Sequence, residues 1–220
     1  AFSVPLGIAG SLALAVLLNQ RVRGLHLFRT LFYLPSMVPA VASAILWQWM
    51  FNTDNGAINM GLGFFGIPPV QWLQDERWTM PAFILMSLWG IGGARMIIFL
   101  AGLQGISDSY YDASRIDGAS AWQRFRYVTL PLLSPVMFFN LMLGIIGSFQ
   151  VFTSAYVMTA GGPNNASLFY ALYLFRNAFE YFKLGKASAL AWILFVILLV
   201  ISAIQFRMSR RWVYYEGADR

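Results

Sequence analysis

The 220-residue sequence contains no cysteine, which excludes disulfides, thiolate metal sites and any thiol nucleophile. Its single histidine, His26, stands among Arg21, Arg23 and Arg29 with no second imidazole to share a metal, so no metal site is expected. Charge is scarce as well. Asp, Glu, Lys and Arg make up 11% of the chain, against about 25% in soluble globular domains. The long apolar runs hold no Asp, Glu, His or Cys, so acid–base and nucleophilic schemes lack players and no catalytic residue is assigned. No G-x4-G-K-[ST] occurs, so the chain offers no phosphate loop and is not expected to hold ATP itself. No internal repeat or low-complexity tract is visible.

What fills the chain instead is hydrophobic: 59% of residues, above the roughly 45–50% of soluble domains. That composition places it in a membrane. A net charge of +6 could suggest nucleic acid, but the basic residues sit at the ends of apolar runs and read as topology signals. No nucleic-acid partner is expected; lipid is.

In chain order, Ala1 to Asn19 is an uncharged apolar run long enough to cross roughly 30 Å of hydrocarbon. Without an initiating Met, a basic leader or a small-residue cleavage site, it reads as a membrane span at a truncated start, not a signal peptide. Gln20 to Arg29 carries three arginines. A second span runs from Thr30 to about Phe51, with Pro35 and Pro39 near its start. Asn52 to Trp78 is turn-rich and places Trp72 and Trp78 at the membrane interface. The third span, Thr79 to Leu103, contains the one intramembrane charge, Arg95, after Gly90, Gly92 and Gly93, which permit a helix irregularity and close approach of a partner. Arg95 either snorkels toward the cytoplasm or lines a transport path or subunit contact. Leu132 to Met158 forms the fourth span and Thr159 to Asn165 a turn cluster. Leu168 to Phe182 is expected as a helix near the outer surface, with Arg176 and Glu180 paired four apart. The last span is Ala187 to Phe206, closed by Arg207, Arg210 and Arg211.

Between the third and fourth spans lies the one long polar segment, Gln104 to Pro131. Its local signals read as two short helices broken by a glycine. Ser107 caps the first, with Asp108 in its opening turn. Gly118 supplies the bend, because glycine takes positive φ without penalty. Ser120 and Gln123 form a capping box for the second helix, through Trp122, Phe125 and Val128. Pro131 marks its expected end.

Asp112-Ala113-Ser114, three residues, Gly118, nine residues, then Val128-Thr129-Leu130-Pro131 resembles the EAA loop, EAA-x3-G-x9-I-x-LP, of permease subunits of binding-protein-dependent ABC importers. Asp replaces Glu, Ser the second Ala and Val the Ile; Asp112 is one methylene shorter, which weakens any salt bridge the loop's acid would make. The resemblance covers essentially the whole chain. LFRTLFYLPSMVPAVASAILWQWMFN, FLAGLQGISDSYYDASRIDGA, TAGGPNNAS and AFEYFKLGKASALAW are similar to the carbohydrate branch, the maltose-type permeases.

That resemblance implies an all-α polytopic bundle of the type I importer kind, residues 1–220 as a single transmembrane permease domain, in the inner membrane. It implies a second, homologous permease, two cytoplasmic ATPases that bind the ATP and Mg, an extracytoplasmic solute-binding protein and a carbohydrate substrate. Tyr111, Asp112, Ala113, Ser114, Arg115, Asp117, Gly118 and Ala119 would couple to the ATPases, with Asp112 and Arg115 in polar contact. The proposed cytoplasmic segments hold ten Lys/Arg and the external ones four, so five spans put the C-terminus inside. A sixth, preceding helix would bring the N-terminus inside too, as the resemblance also implies.

On the fourth span, 100° per residue gathers Asn140, Gly144, Gly147, Ser148 and Val151 on one small, polar face, with Gln150 on its flank. Small residues suit tight packing against the partner permease; the same face suits a sugar path. The resemblance favours the path and selects Gly144, Gly147, Ser148, Gln150 and Val151, with Arg95. The rival function is a secondary transporter or channel not coupled to ATP, which would usually bury an acid or pair two broken helices in corresponding halves, and the sequence shows neither.

Overall fold

The computed structural model describes residues 2–20 and 24–214. Ala1, Arg21, Arg23 and Arg220, used in the sequence argument, lie outside the described residues. Every element among those described is helical. In order they are α1 (Ser3–Leu18), α2 (Leu25–Tyr33) running into a 3-10 turn (Leu34–Met37), α3 (Ala40–Met50), α4 (Ala57–Gly63), α5 (Glu76–Trp89), a 3-10 turn (Gly90–Gly92) and α6 (Ala94–Gln104). The polar stretch holds α7 (Asp108–Ile116), α8 (Ala121–Arg124), a π-turn (Phe125–Thr129) and α9 (Leu130–Leu132). Then come α10 (Ser134–Phe149), α11 (Thr153–Met158), α12 (Tyr170–Phe175) with a π-turn (Arg176–Glu180), and α13 (Leu184–Ser209).

Ser134–Met158 and Leu184–Ser209 are long and apolar enough to cross a membrane, and the pairs Leu25–Met37 with Ala40–Met50 and Glu76–Gly92 with Ala94–Gln104 are each a span only if taken together across a break. The expected straight span from Thr30 to Phe51 is thus two helices. Pro39 caps α3 at φ −55°, ψ 140°, and the residue before a proline is pushed out of the helical region, so the chain cannot run straight through.

The chain forms two compact units. One gathers segments 37–89 and 145–198; the other 4–36, 90–144 and the C-terminal segment from Leu199. The first is built on Ala44, Trp47, Phe51, Trp72, Ala82, Phe83, Ala155, Met158 and Leu172. Rings run in contact from Trp89 to Trp47, Phe51, Trp72 and Trp78, with centroids 5.2–5.9 Å apart. Trp72 is buried here and not an interface anchor. Its indole N–H donates to Asn59 Oδ1 at 2.9 Å, while Asn59 Nδ2 donates to the carbonyls of Thr53 and Val70 at 3.0 and 2.9 Å. One asparagine so satisfies a loop that would otherwise bury unpaired backbone. Arg176 and Glu180 pair at 3.4 Å, four apart as expected.

The second unit packs Leu12, Ala15 and Leu18 of α1 against Met96, Phe99, Leu100 and Leu103 of α6, with Leu133. The glycine-rich break before α6 is stabilised inside the chain. Ser11 Oγ donates to the Ile91 carbonyl at 2.7 Å, re-satisfying an acceptor that the break frees. At Gly92 the Phe32 backbone lies so close that no β-carbon fits, so the close approach expected of a partner is made by this chain's own α2. Arg29 Nη2 donates to the Leu18 carbonyl at 3.0 Å, capping the C-terminus of α1.

Candidate functional site

The polar stretch folds as two short helices around a fixed bend. Ser107 caps α7, its hydroxyl accepting from the Ser109 N–H. The helix closes on Gly118 at φ +74°. The Gly118 N–H reaches the Arg115 carbonyl at 3.0 Å and the Ala119 N–H the Ser114 carbonyl at 2.9 Å. This is the Schellman arrangement, in which the N–H of the left-handed residue and that of the residue after it fold back over the last turn. Ser120 then opens α8 with a complete capping box: its hydroxyl accepts from Gln123 N–H at 3.3 Å, and Gln123 Oε1 accepts from Ser120 N–H at 2.7 Å.

Two longer links brace the bend, one from α8 back to the turn before it and one from α7 to the π-turn after α8. Arg124 Nη1 donates to the Ala119 carbonyl at 3.0 Å, and the Tyr111 hydroxyl meets Thr129 Oγ1 at 3.1 Å. Pro131 does not end the second helix as expected. The backbone widens into the π-turn over Phe125–Thr129 and stays helical through Leu132, with Pro131 in the first positions of α9, where a missing N–H costs little. The interruption falls at Leu133 (φ −83°, ψ −6°).

Outward, the element presents charge and bare hydrocarbon together. Asp112 and Arg115 form a 2.8 Å ion pair with both side chains more than half exposed. Ile116, Trp122 and Tyr127 are 87%, 69% and 74% exposed. These three are large side chains with apolar surface on an otherwise polar segment.

The residues selected on the third and fourth spans divide. Arg95 and Gly144 come together: a β-carbon at Gly144 would lie 3.3 Å from Arg95 Nη2 and 2.9 Å from Val4, and one at Gly7 would lie 2.5 Å from Arg95 Nη1. The small residue at 144 therefore makes room for α1 and an arginine of the same chain. Gly147 is exposed with no heavy atom near enough to meet a β-carbon. Ser148 turns its hydroxyl back to the Ile145 carbonyl at 2.7 Å. The helical face does not run on to Val151, because α10 stops at Phe149; Gln150 and Val151 lie in the break before α11, with Phe152 at φ −131°, ψ −64°. A periodicity argument has no force across such a break.

Residues 5–214 match the family described as the binding-protein-dependent transport system inner membrane component.

The chain belongs to this family.

It is 45% identical to a probable ABC transporter permease of Bacillus subtilis, YesP, over 98% of this chain and 71% of that protein. It is 36% identical to the lactose transport system permease LacF of Rhizobium radiobacter (94% and 71%) and 35% to the trehalose/maltose transport system permease MalF of Thermococcus litoralis (94% and 70%). Among solved structures it superposes on a chain of a bacterial ABC transporter that imports the acidic polysaccharide alginate, with TM-score 0.83 and 25% identity, covering 96% of this chain and 73% of that one. The architecture is that of a type I importer permease, a transporter component.

Sequence reading found the permease's helix–glycine–helix element but missed what stiffens it. Thr129 occupies the variable position of the V-x-LP signature, and Arg124 lies inside the nine-residue spacer, so a motif that fixes only its ends gives neither weight. The exposed Ile116, Trp122 and Tyr127 were legible only as apolar letters in a polar stretch.

Proposed function

We propose that this permease is one membrane subunit of an ATP-driven importer, and that it carries a saccharide delivered by an extracytoplasmic solute-binding protein. The observation that carries the proposal is the rigid helix–bend–helix element of residues 108–132. Motion in a soluble ATPase reaches the membrane only through something that does not flex, and here a Schellman close, a capping box and two side-chain links hold one angle. Ile116, Trp122 and Tyr127 supply apolar anchors for a groove on the ATPase, with Asp112 and Arg115 as polar contacts around them. Tyr111, Ala113, Ser114, Asp117, Gly118 and Ala119 form the body of the element.

Support for a saccharide comes from relatives named for lactose and trehalose/maltose, and from the alginate importer, solved also with a pentasaccharide-bound periplasmic protein. The substrate class across these relatives includes neutral and acidic saccharides. In this reading a second, homologous permease completes the path, and two ATPases bind the ATP and Mg. The polar stretch and the C-terminus face the cytoplasm, and the loops around Gln71, Asp75, Glu76 and Asn164, where Asn164 bonds Glu76, face the binding protein. Alternating access follows as rocking of two packed bodies between states that ATP favours differently. Gly147, Ser148, Gln150 and Val151 border the path on this side.

Gentle purification from native membranes, with mass spectrometry of the accompanying proteins, tests the assembly. Co-purification of an ATPase and a second permease is expected. Uptake that survives ATP depletion but collapses with the proton gradient would establish the secondary-transporter reading instead.

A further inference from the structure

Within the apolar runs 30–51, 79–103, 132–158 and 187–206, Arg95 is the one Lys or Arg, the other cations of the spans lying near their ends, and it has neither an ion pair nor a hydrogen bond among the described residues. Its depth follows from the three helices that meet at its guanidinium. Arg95 stands nine residues before the end of α6 at Gln104, Gly7 eleven before the end of α1 at Leu18, and Gly144 ten after the start of α10 at Ser134. At 1.5 Å per residue these are all about 14–17 Å, close to half of a hydrocarbon layer roughly 30 Å thick. The group therefore lies at mid-depth and does not snorkel to an interface, where lipid phosphates would meet it.

The fold also keeps space for it. Gly7 and Gly144 flank the guanidinium, and a β-carbon at either would press on it. The side chain is only partly buried, so its fork remains reachable. A planar guanidinium at this depth, held between glycines and without an acceptor among the described residues, is suited to a planar anion that arrives and leaves; carboxylates bind such a fork through two parallel hydrogen bonds.

We propose that Arg95 recognises a carboxylate on the saccharide in transit, so that the cargo is an acidic sugar of the uronate class. This rests on the reading of the chain as a saccharide permease.

The test uses the whole complex, with its partner permease, ATPases and binding protein, in liposomes. The probes are a uronic-acid disaccharide and its carboxyl-reduced, neutral counterpart. The wild-type complex is expected to take up the uronate form in preference. Arg95→Gln is expected to lower uronate uptake by about tenfold or more, the scale of removing one partner of a desolvated charge pair, while changing uptake of the neutral form less than about twofold. Because the binding protein is unchanged, the ratio of these two effects belongs to Arg95. Arg95→Lys should recover part of the uronate uptake.

Equal loss of both forms in Arg95→Gln would overturn the proposal, as would wild-type uptake of the neutral form alone. Failure of Arg95→Gln to assemble while Arg95→Lys does would assign the charge to a carboxylate of the partner permease, and the proposal would fall. If neither saccharide enters through an assembled, ATP-hydrolysing wild-type complex, the saccharide reading itself fails.

Discussion

Replacement of Gly118 separates a conformational role from a steric one. Its φ of +74° lies in the left-handed region, and a β-carbon there would meet no heavy atom within 4 Å. Space is therefore not the constraint; backbone conformation is. For an L-residue the left-handed state costs roughly 1–2 kcal/mol, with Asn paying less because its short amide bonds locally. A β-branched residue pays most. Two Schellman hydrogen bonds depend on that conformation, from Gly118 to Arg115 and from Ala119 to Ser114. An extra 1–2 kcal/mol, or a factor of about 5–30, shifts the element toward states in which α7 and α8 no longer hold one angle. The graded series Gly118→Asn, Gly118→Ala, Gly118→Val should thus lose coupling in that order, with Ala already showing most of the loss. The assay is saccharide-stimulated ATPase activity of the reconstituted complex, with membrane level of the permease measured in parallel and expected to stay constant. Normal stimulated activity in Gly118→Val would refute the reasoning. So would a complex indifferent to Ala and disabled only by large side chains, because that outcome requires a steric wall the structure lacks.

Asp112→Ala removes one partner of an exposed ion pair three residues apart, worth at most about 0.5 kcal/mol to the helix; insertion should be unchanged, and ATPase retention on purification should fall more weakly than with Gly118→Val. Asn59→Leu strips the N–H of Trp72 and the carbonyls of Thr53 and Val70 of their partner, a loss of about 2–3 kcal/mol. Thermal unfolding should show it as a drop of roughly 4–12 °C, with ATPase binding intact. Gly147→Leu places a bulky group where no atom stands within 4 Å, so the complex should assemble with its ATPases, and uptake assays should show saccharide transport blocked. Dissociation of the complex in that variant would indicate instead that the partner permease packs on Gly147.

The sequence by itself determined whatever depends on neighbours a few residues away. Ser107, Gly118, Ser120 and Gln123 fixed two helices and the turn between them, because capping and positive φ are local properties that a four- or five-residue window contains. Apolar run length located the membrane-crossing segments for the same reason, but not their course: two of them are bent helix pairs, and α1 is 16 residues long. Tertiary structure alone decided the rest. Pro131 continues a helix because a π-turn before it absorbs the missing donor. Trp72 is core because Asn59, thirteen residues away, takes its N–H. Gly144 is small because Val4 and Arg95 occupy the place of its side chain. The last two outcomes turn on contacts between residues distant in sequence, whose energy a local pattern does not contain; helical periodicity gave Gly144 and Val151 one face, and the break at Gln150 separated them.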